Sequence, residues 1–269
     1  MPTIFDSKTS MKRIYDRYYH SNYYNHRYPL YNENSLSIIL KTINSEKPII
    51  LDYGCGNGRY TFPLLKQTEA NLVLFDISQV ALNQVKSSLK TAYISRVKIC
   101  VDISELNNIE TFDNVICMFG VLSHIPNRIN RIDLLKTFFN KLKNRGDLVI
   151  SVPNMHRRFL MEQFICSVNR FFNNPLIPAS EKHDIIYKRN IQGVSEKIFY
   201  HLYNKHELIN DLEKAGFKIK KVFAESILPE KLVVSSSFFR NIDNLLLKII
   251  PSSLGYGIIC IAERDDGHE

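Results

Sequence analysis

The segment with the most chemical content is Leu51-Asp52-Tyr53-Gly54-Cys55-Gly56-Asn57-Gly58-Arg59. Glycines at every second position let the backbone turn sharply and come close to a ligand, because no Cβ stands in the way. A dinucleotide fingerprint GxGxxG fails in this register: counted from Gly54 and Gly56, its third glycine falls on Arg59. The spacing is D-x-G-x-G-x-G, with an acid two residues ahead of the first glycine. Further on, Asp76 closes the apolar run Leu72–Phe75, a place where an acid can accept both hydroxyls of a ribose. His124, in Gly120-Val121-Leu122-Ser123-His124-Ile125-Pro126, is the candidate general base; otherwise it packs, or caps the next helix. A stretch rich in aromatic and basic residues, from Tyr15 through Tyr19 to Arg27 and Tyr28, could stack on a flat ligand and meet an anion. Ordinary packing of a tyrosine-rich cap is the competing reading.

These residues need elements to hold them. The run 47–52 suits a buried parallel strand, and a helix can start at Tyr60. Strands follow at Asn71–Asp76, Val97–Val101, Asn114–Phe119 and Leu148–Val152. Helices alternate with them, one capped by Ser78 and running to about Leu89, another from Arg128 to Lys143. Such alternation implies right-handed βαβ units. The expected fold is α/β, a doubly wound, mostly parallel seven-stranded sheet with helices on both faces.

The pattern breaks at Pro153. Leu160, Met161, Phe164, Ile165, Val168, Phe171 and Phe172 form one helical stripe, and a polar, poorly patterned stretch follows to about residue 195. Asn204-Lys205-His206-Glu207 fits a capping box ahead of a helix Leu208–Ala215, with Gly216 as its C′ glycine. A strand Phe217–Phe223, a helix Phe238–Ile250 and a strand Gly257–Ala262 complete the chain. The expected organisation is one domain, 1–269: an N-terminal helical cap (1–45), a cofactor-binding core (46–154), an insertion or lid (155–200) and a C-terminal part with the last two strands (201–265). The insertion helix is read as packing on the core or as a lid, with an interfacial membrane helix as the alternative.

The glycine loop, with acids closing the next strands, resembles the class I S-adenosylmethionine-dependent methyltransferases. Phe112–Phe119 is similar to the family's fourth-strand motif, and Gly146-Asp147-Leu148-Val149-Ile150 to its fifth, though one glycine of the usual pair is missing. The resemblance covers about residues 46–154 and the last two strands. It implies S-adenosylmethionine as cofactor, with Gly54, Cys55 and Gly56 against its methionine moiety. Asp52 would hold the amino group, Asp76 with Ile77 beside it the ribose, and Asp102 and Ile103 the adenine. Phe119 and Gly120 would wall the pocket. An N-terminal helix that closes over the site would bring Tyr15, Tyr19 and Arg27 to the substrate.

Ser123–Arg131 and Phe199–Leu208 are also similar to tRNA wobble-uridine methyltransferases, which esterify a carboxymethyl group on the base. Yet an aromatic-His-aromatic triplet ahead of Ala215-Gly216-Phe217, and the tail Leu245–Ala262, look more like small-molecule methyltransferases. A small-molecule acceptor, methylated on oxygen or nitrogen, is the expectation. A tRNA acceptor is the alternative, and a module that binds cofactor without catalysis is a third.

Composition bounds the rest. With 45% apolar residues among 269, a sizeable core can form. A net charge of +8 favours an anionic partner, though Lys, Asn and Ile are abundant throughout and dilute that inference. Five cysteines without a CxxC pair support neither a disulfide framework nor a zinc site, so no metal is expected. No apolar stretch suits a signal peptide or a membrane span, and the expected compartment is the cytoplasm.

Overall fold

The computed structural model describes residues 7–109, 111–172 and 181–267. Three helices come first: α1 (Ser7–His20), α2 (Tyr23–Arg27) and α3 (Glu33–Leu40). Alternating elements follow: β1 (Ile49–Tyr53), α4 (Thr61–Gln67), β2 (Asn71–Phe75), α5 (Gln79–Ser88), β3 (Val97–Cys100), β4 (Phe112–Cys117), α6 (Arg128–Lys141) and β5 (Leu142–Pro153). Next are α7 (Leu160–Phe171), β6 (Asp184–Ile191), β7 (Val194–His201), α8 (Lys205–Lys214), β8 (Phe217–Ala224), α9 (Glu230–Ser235), α10 (Ser237–Leu246) and β9 (Gly257–Arg264).

Seven strands form one sheet in the order β3-β2-β1-β4-β5-β9-β8. All pairs are parallel except those of β9, which runs against both β5 and β8. The chain winds outward from β1 to β3, then crosses back to β4, which pairs with β1 through Leu51 and Val115. Successive residues of each central strand serve opposite faces. Leu51, Val73, Val115 and Leu148 pack with Leu135 and Phe138 of α6 and Leu208 and Leu212 of α8. Their neighbours Ile50, Leu72, Ile116 and Val149 pack with Leu36 and Ile39 of α3, Leu64 of α4 and Val85 of α5. Burial on both faces explains the near-continuous apolar runs in the sequence.

Ser78 caps α5 as its position suggests, its Oγ accepting from the Ala81 amide at 3.2 Å. At α8 half of the expected capping box forms. Asn204 Oδ1 accepts from the Glu207 amide (2.9 Å), but the Glu207 carboxylate meets His201 Nε2 (3.0 Å). Asp184 Oδ1 takes the other ring nitrogen of His201 at 2.6 Å. Helix α6 stops at Lys141 instead of Lys143, because β5 begins at Leu142 with a register shift and Arg145 in the left-handed region.

Two expectations for the insertion are corrected. The stretch without an evident pattern holds a hairpin, β6 paired with β7, closed by Gln192 and Gly193 with φ +50° and +79°. Alternation is present: Ile185, Tyr187 and Ile191 of β6 are buried and Arg189 falls on their face. The polar residues between them, and a glutamine where such turns usually carry Asn or Asp, hide the signal. Residues 173–180 of that stretch lie outside the described ones. The apolar stripe of α7 is not packed against the core: Leu160, Met161, Phe164, Ile165, Val168 and Phe171 are exposed, and Cys166 is its buried residue. Among the described residues no helix is long and apolar enough to cross a membrane.

His201 is fully buried, which disfavours its charged form, yet the hydrogen bonds it donates to the Asp184 and Glu207 carboxylates hold its pKa above the usual histidine value. His201→Ala should cost about 3 kcal/mol in urea unfolding, because it leaves buried carboxylates unpaired. The stabilisation is fully present below the unfolded pKa of about 6.5 and fades as pH rises through the higher folded value, so the gap between wild type and variant should narrow in alkali.

Candidate active site

The carboxyl ends of β1 and β4 meet where strand order reverses, which is where open α/β sheets receive ligands. There the glycine loop is fastened to β2. The Gly54 and Cys55 amides donate to the Phe75 carbonyl, at 2.7 and 3.1 Å. The Gly56 amide donates to Asp76 Oδ2 and the Ser78 amide to Asp76 Oδ1, both at 2.8 Å. Burial raises the Asp76 pKa to about 6, while the two amides favour its charged form. At neutral pH it is therefore a carboxylate with acceptor capacity left on each oxygen. Gly56 has φ +56°, and a Cβ there would strike the Tyr19 hydroxyl, so the buried phenol of α1 lies directly on the loop. Asp52, also buried, accepts from Thr61 Oγ1 at 2.8 Å, and burial pushes its pKa to about 7 with the Asp76 charge adding to the rise.

The other residues of the loop and strand ends are less open. Gly54 lies against Val121, and Cys55 is buried. Ile77 packs partly buried between the core and the N-terminal cap. Asp102 is turned to its own backbone: it accepts from the Ser104 amide, and Glu105 reaches back to the Asp102 amide, both at 2.8 Å. That capping box starts a short 3₁₀ turn, in which Ile103 packs partly buried on the core.

After β4 the chain makes two left-handed steps, Phe119 (φ +64°) and Gly120 (φ +76°). Their amides are anchored on β5, donating to Ser151 Oγ (2.6 Å) and to the Ser151 carbonyl (3.0 Å). A Cβ on Gly120 would strike the Tyr200 hydroxyl, so β7 touches this loop as α1 touches the glycine loop. Phe119 sits edge-on to Tyr28 and under the Arg59 guanidinium, 4.5 Å from its ring centre. Arg59 itself is neutralised by Glu230 at 2.7 Å.

His124 follows in the next turn, with Nε2 2.7 Å from the Tyr15 hydroxyl and Nδ1 3.1 Å from the Phe199 carbonyl. A carbonyl only accepts, so Nδ1 carries the proton, and the Nε2 lone pair receives the Tyr15 O–H. Burial lowers the His124 pKa to about 3, with Arg189 and Arg158 adding to the fall. The two residues singled out separately as base and substrate contact thus form one hydrogen-bonded pair.

Helix α1, the β6–β7 hairpin and the start of α7 roof this region. Asp16 accepts from Ser78 Oγ (2.7 Å), and Arg13 (3.3 Å) and Arg17 both pair with Glu196 of β7. Tyr18, Tyr187, Tyr200 and Phe159 face one another beneath, with Arg189 donating to the Tyr18 hydroxyl at 2.7 Å. Arg27 donates to Tyr28 at 3.1 Å instead of reaching the Tyr15–His124 pair. Sequence reasoning missed Tyr187, Arg189 and Tyr200 as site neighbours because it missed the hairpin that carries them. Arg158, just ahead of the α7 stripe, carries no local signal of its own in the sequence.

A family model for the methyltransferase domain matches residues 24–222, and the chain belongs to that family. Its fold is shared with structures solved with S-adenosylhomocysteine. Among curated proteins it is similar to the tRNA U34 carboxymethyltransferase of Campylobacter fetus, 31% identical over 37% of this chain and 35% of that protein. It also resembles the ubiquinone biosynthesis O-methyltransferase of Rickettsia typhi, 25% identical over 61% of this chain and 69% of that one. The chain thus spans about a third of the length of the first of these relatives. In fold it is similar to the 1,6-didemethyltoxoflavin-N1-methyltransferase of Burkholderia thailandensis, solved with that compound and S-adenosylhomocysteine (TM-score 0.64, 16% identity, 99% of this chain and 92% of that one). It is likewise similar to the magnesium protoporphyrin IX methyltransferase of Synechocystis, solved with S-adenosylhomocysteine (TM-score 0.59, 14% identity, 97% and 100% covered).

The geometry around His124 is open to a direct check. Nitrogen chemical shifts should report a neutral imidazole protonated on Nδ1, which stays neutral until the pH approaches about 3. Tyr15→Phe should leave the Nδ1 signal in place and move Nε2 toward an unbonded lone pair. A His124 that titrates near its ordinary value of about 6.5 would exclude this arrangement.

Proposed function

We propose that the chain transfers the methyl group of S-adenosylmethionine to an oxygen or nitrogen of a small-molecule acceptor bound beneath the α1 and β6–β7 roof. The observation that carries the reading is the Asp76–Gly56 bond at the sheet's switch point, which sets a carboxylate and a bare glycine backbone side by side. That pair suits a ribose with a charged thioether-like chain beside it: Asp76 offers free lone pairs to two hydroxyls, and Gly56 lets the chain pass close. Tyr19 lies on Gly56, so a ligand there must displace the phenol or slide along it. Asp52 is committed to Thr61, and its part in holding an amino group runs through its remaining oxygen.

Bound cofactor supplies an electrophilic methyl group on sulfur. The chain's own residues then have to align the acceptor, keep water out and take up the proton that the acceptor loses. The Tyr15–His124 pair suits the last task. An acceptor O–H or N–H bonded to the Tyr15 oxygen can pass its proton to Tyr15 as Tyr15 passes its own to His124 Nε2. The cofactor would supply the methyl group that replaces the acceptor's proton, and that proton would leave through Tyr15 toward His124 Nε2 and on to solvent.

A small acceptor is supported by the burial of Tyr18, Tyr24, Tyr28, Tyr187 and Tyr200 against one another. Platforms for single-stranded RNA present their rings to solvent for successive bases. The second reading, a tRNA acceptor, draws on the relative from Campylobacter fetus and on the net charge of +8.

Calorimetric titration with S-adenosylhomocysteine tests the cofactor reading. Asp76→Ala should weaken binding by about 1 to 3 kcal/mol, since buried hydroxyls lose their acceptor. Gly56→Val should abolish it while the protein stays folded. Wild-type affinity should fall as pH drops through about 6, where Asp76 gains its proton. Binding at wild-type strength in both variants would remove the glycine loop from the site. If tRNA is the acceptor, binding of bulk tRNA should weaken steeply with salt as phosphate counterions are released; a flat response counts against it.

A further inference from the structure

Arg158 and Arg189 stand close to His124 and Arg27 lies farther off against Tyr28, and among the described residues none of the three forms an ion pair with a carboxylate. Arg158 lies over the rings of Tyr256 (4.9 Å), Phe159 (5.4 Å) and Tyr200 (5.7 Å), and its buried Nε has no hydrogen-bond partner. Arg189 lies over Tyr187 at 5.1 Å, with the Tyr18 hydroxyl as its hydrogen-bond acceptor. Arg27 bonds to the Tyr28 hydroxyl. Rings link the first two: Phe159 stacks on Tyr187 at 4.7 Å, and Tyr187 meets Tyr200 edge-on at 5.9 Å. The acids nearby are committed or neutral. Glu196 is taken by Arg13 and Arg17, and Glu230 by Arg59 and Asn32. Glu225 makes no ion pair with Arg158, and burial and the neighbouring Glu230 push its pKa up, away from the charged form.

Partly desolvated guanidinium groups without an anion cost free energy, and the fold neutralises Arg59 nearby but leaves these uncompensated. A guanidinium fork matches a carboxylate or phosphate in two parallel hydrogen bonds, and the neighbouring rings suit a flat body. We propose that Arg158 and Arg189 bind an oxyanion, carboxylate or phosphate, carried by the small-molecule acceptor, with Phe159, Tyr187 and Tyr200 packing against its body. This rests on the reading that the acceptor lies beneath the roof beside His124. It has a consequence for the base. Both guanidinium charges act against protonation of His124. An anion seated on them offsets that charge and strengthens the base when the acceptor is in place.

The test uses the full chain saturated with S-adenosylhomocysteine, so that failure of the cofactor reading shows first, as absence of that binding. Benzoate and phenyl phosphate are then titrated beside the neutral benzamide and benzyl alcohol. One of the two anions should bind at millimolar concentration or below, and the neutral analogues at least about tenfold more weakly. The preferred anion assigns carboxylate or phosphate. Arg158→Gln and Arg189→Gln should each weaken the anion about tenfold and leave S-adenosylhomocysteine binding unchanged, while Arg→Lys at either position should restore part of the loss. The anion should also raise the His124 pKa in the wild type and not in the double Gln variant. Equal binding of charged and neutral probes, no binding of either anion at millimolar concentration, or anion binding undiminished in the double variant would overturn the proposal. Displacement of the anion by bulk tRNA at low salt would assign the arginines to a polymer's phosphates, and would overturn it as well.

Discussion

The Asp76 carboxylate is the joint on which the site turns. It closes β2 and receives one amide from the loop after β1 and another from the start of α5, so three segments meet at two oxygens. Each amide is the kind of donor that a turn or a helix start leaves without a backbone partner. Their pairing with Asp76 lets a sharp turn stay buried without unsatisfied groups. The same bonds set the height of Gly56 above the sheet. The neighbouring Ser78 extends the joint outward, because its hydroxyl caps α5 and donates to Asp16 of α1. The cap is thereby referenced to the same point as the glycine loop.

The roof is held at its margins and left adaptable at its centre. Salt bridges from Arg13 and Arg17 to Glu196 tie α1 to the hairpin, and Arg131 ties α6 to Glu181, just ahead of β6. Between these ties the contacts are mostly ring on ring or guanidinium on ring, which depend on position less steeply than a bidentate ion pair does. Such contacts can slide when a flat molecule enters. Methyl transfer from a sulfonium asks mainly for alignment and exclusion of water. An aromatic roof pinned at its edges is suited to that demand.

How far the sequence could be read follows from the range of the forces involved. The sheet was legible because its strands are buried on both faces and each ends on a residue with a local duty, as Asp52 and Asp76 do. The glycine loop was legible because close backbone approach admits few other residues. The hairpin was hidden because its inward face mixes Arg189 and Tyr187 with Ile185 and Ile191, and partners distant in sequence decide that choice. The same holds at Glu207: its spacing from Asn204 fits a local box, but buried His201 is the stronger partner for a carboxylate. Asp102 and Glu105, by contrast, spend themselves on their own turn.

Net basicity says little until it is divided by environment. Many of the 35 Lys and Arg residues lie in the solvent, where the charge is screened within about 8 Å at physiological ionic strength. Arg59, Arg158 and Arg189 are different because protein surrounds much of each, so a missing counter-charge there is costly. Arg59 has its acid, and that ion pair positions the guanidinium on Phe119 beside the loop after β4. Arg158 and Arg189 have aromatic rings instead, which favour a cation less strongly than a carboxylate does. The asymmetry leaves two partly desolvated cations without a carboxylate partner near His124 among the described residues, and an incoming anion is the means by which they can be balanced.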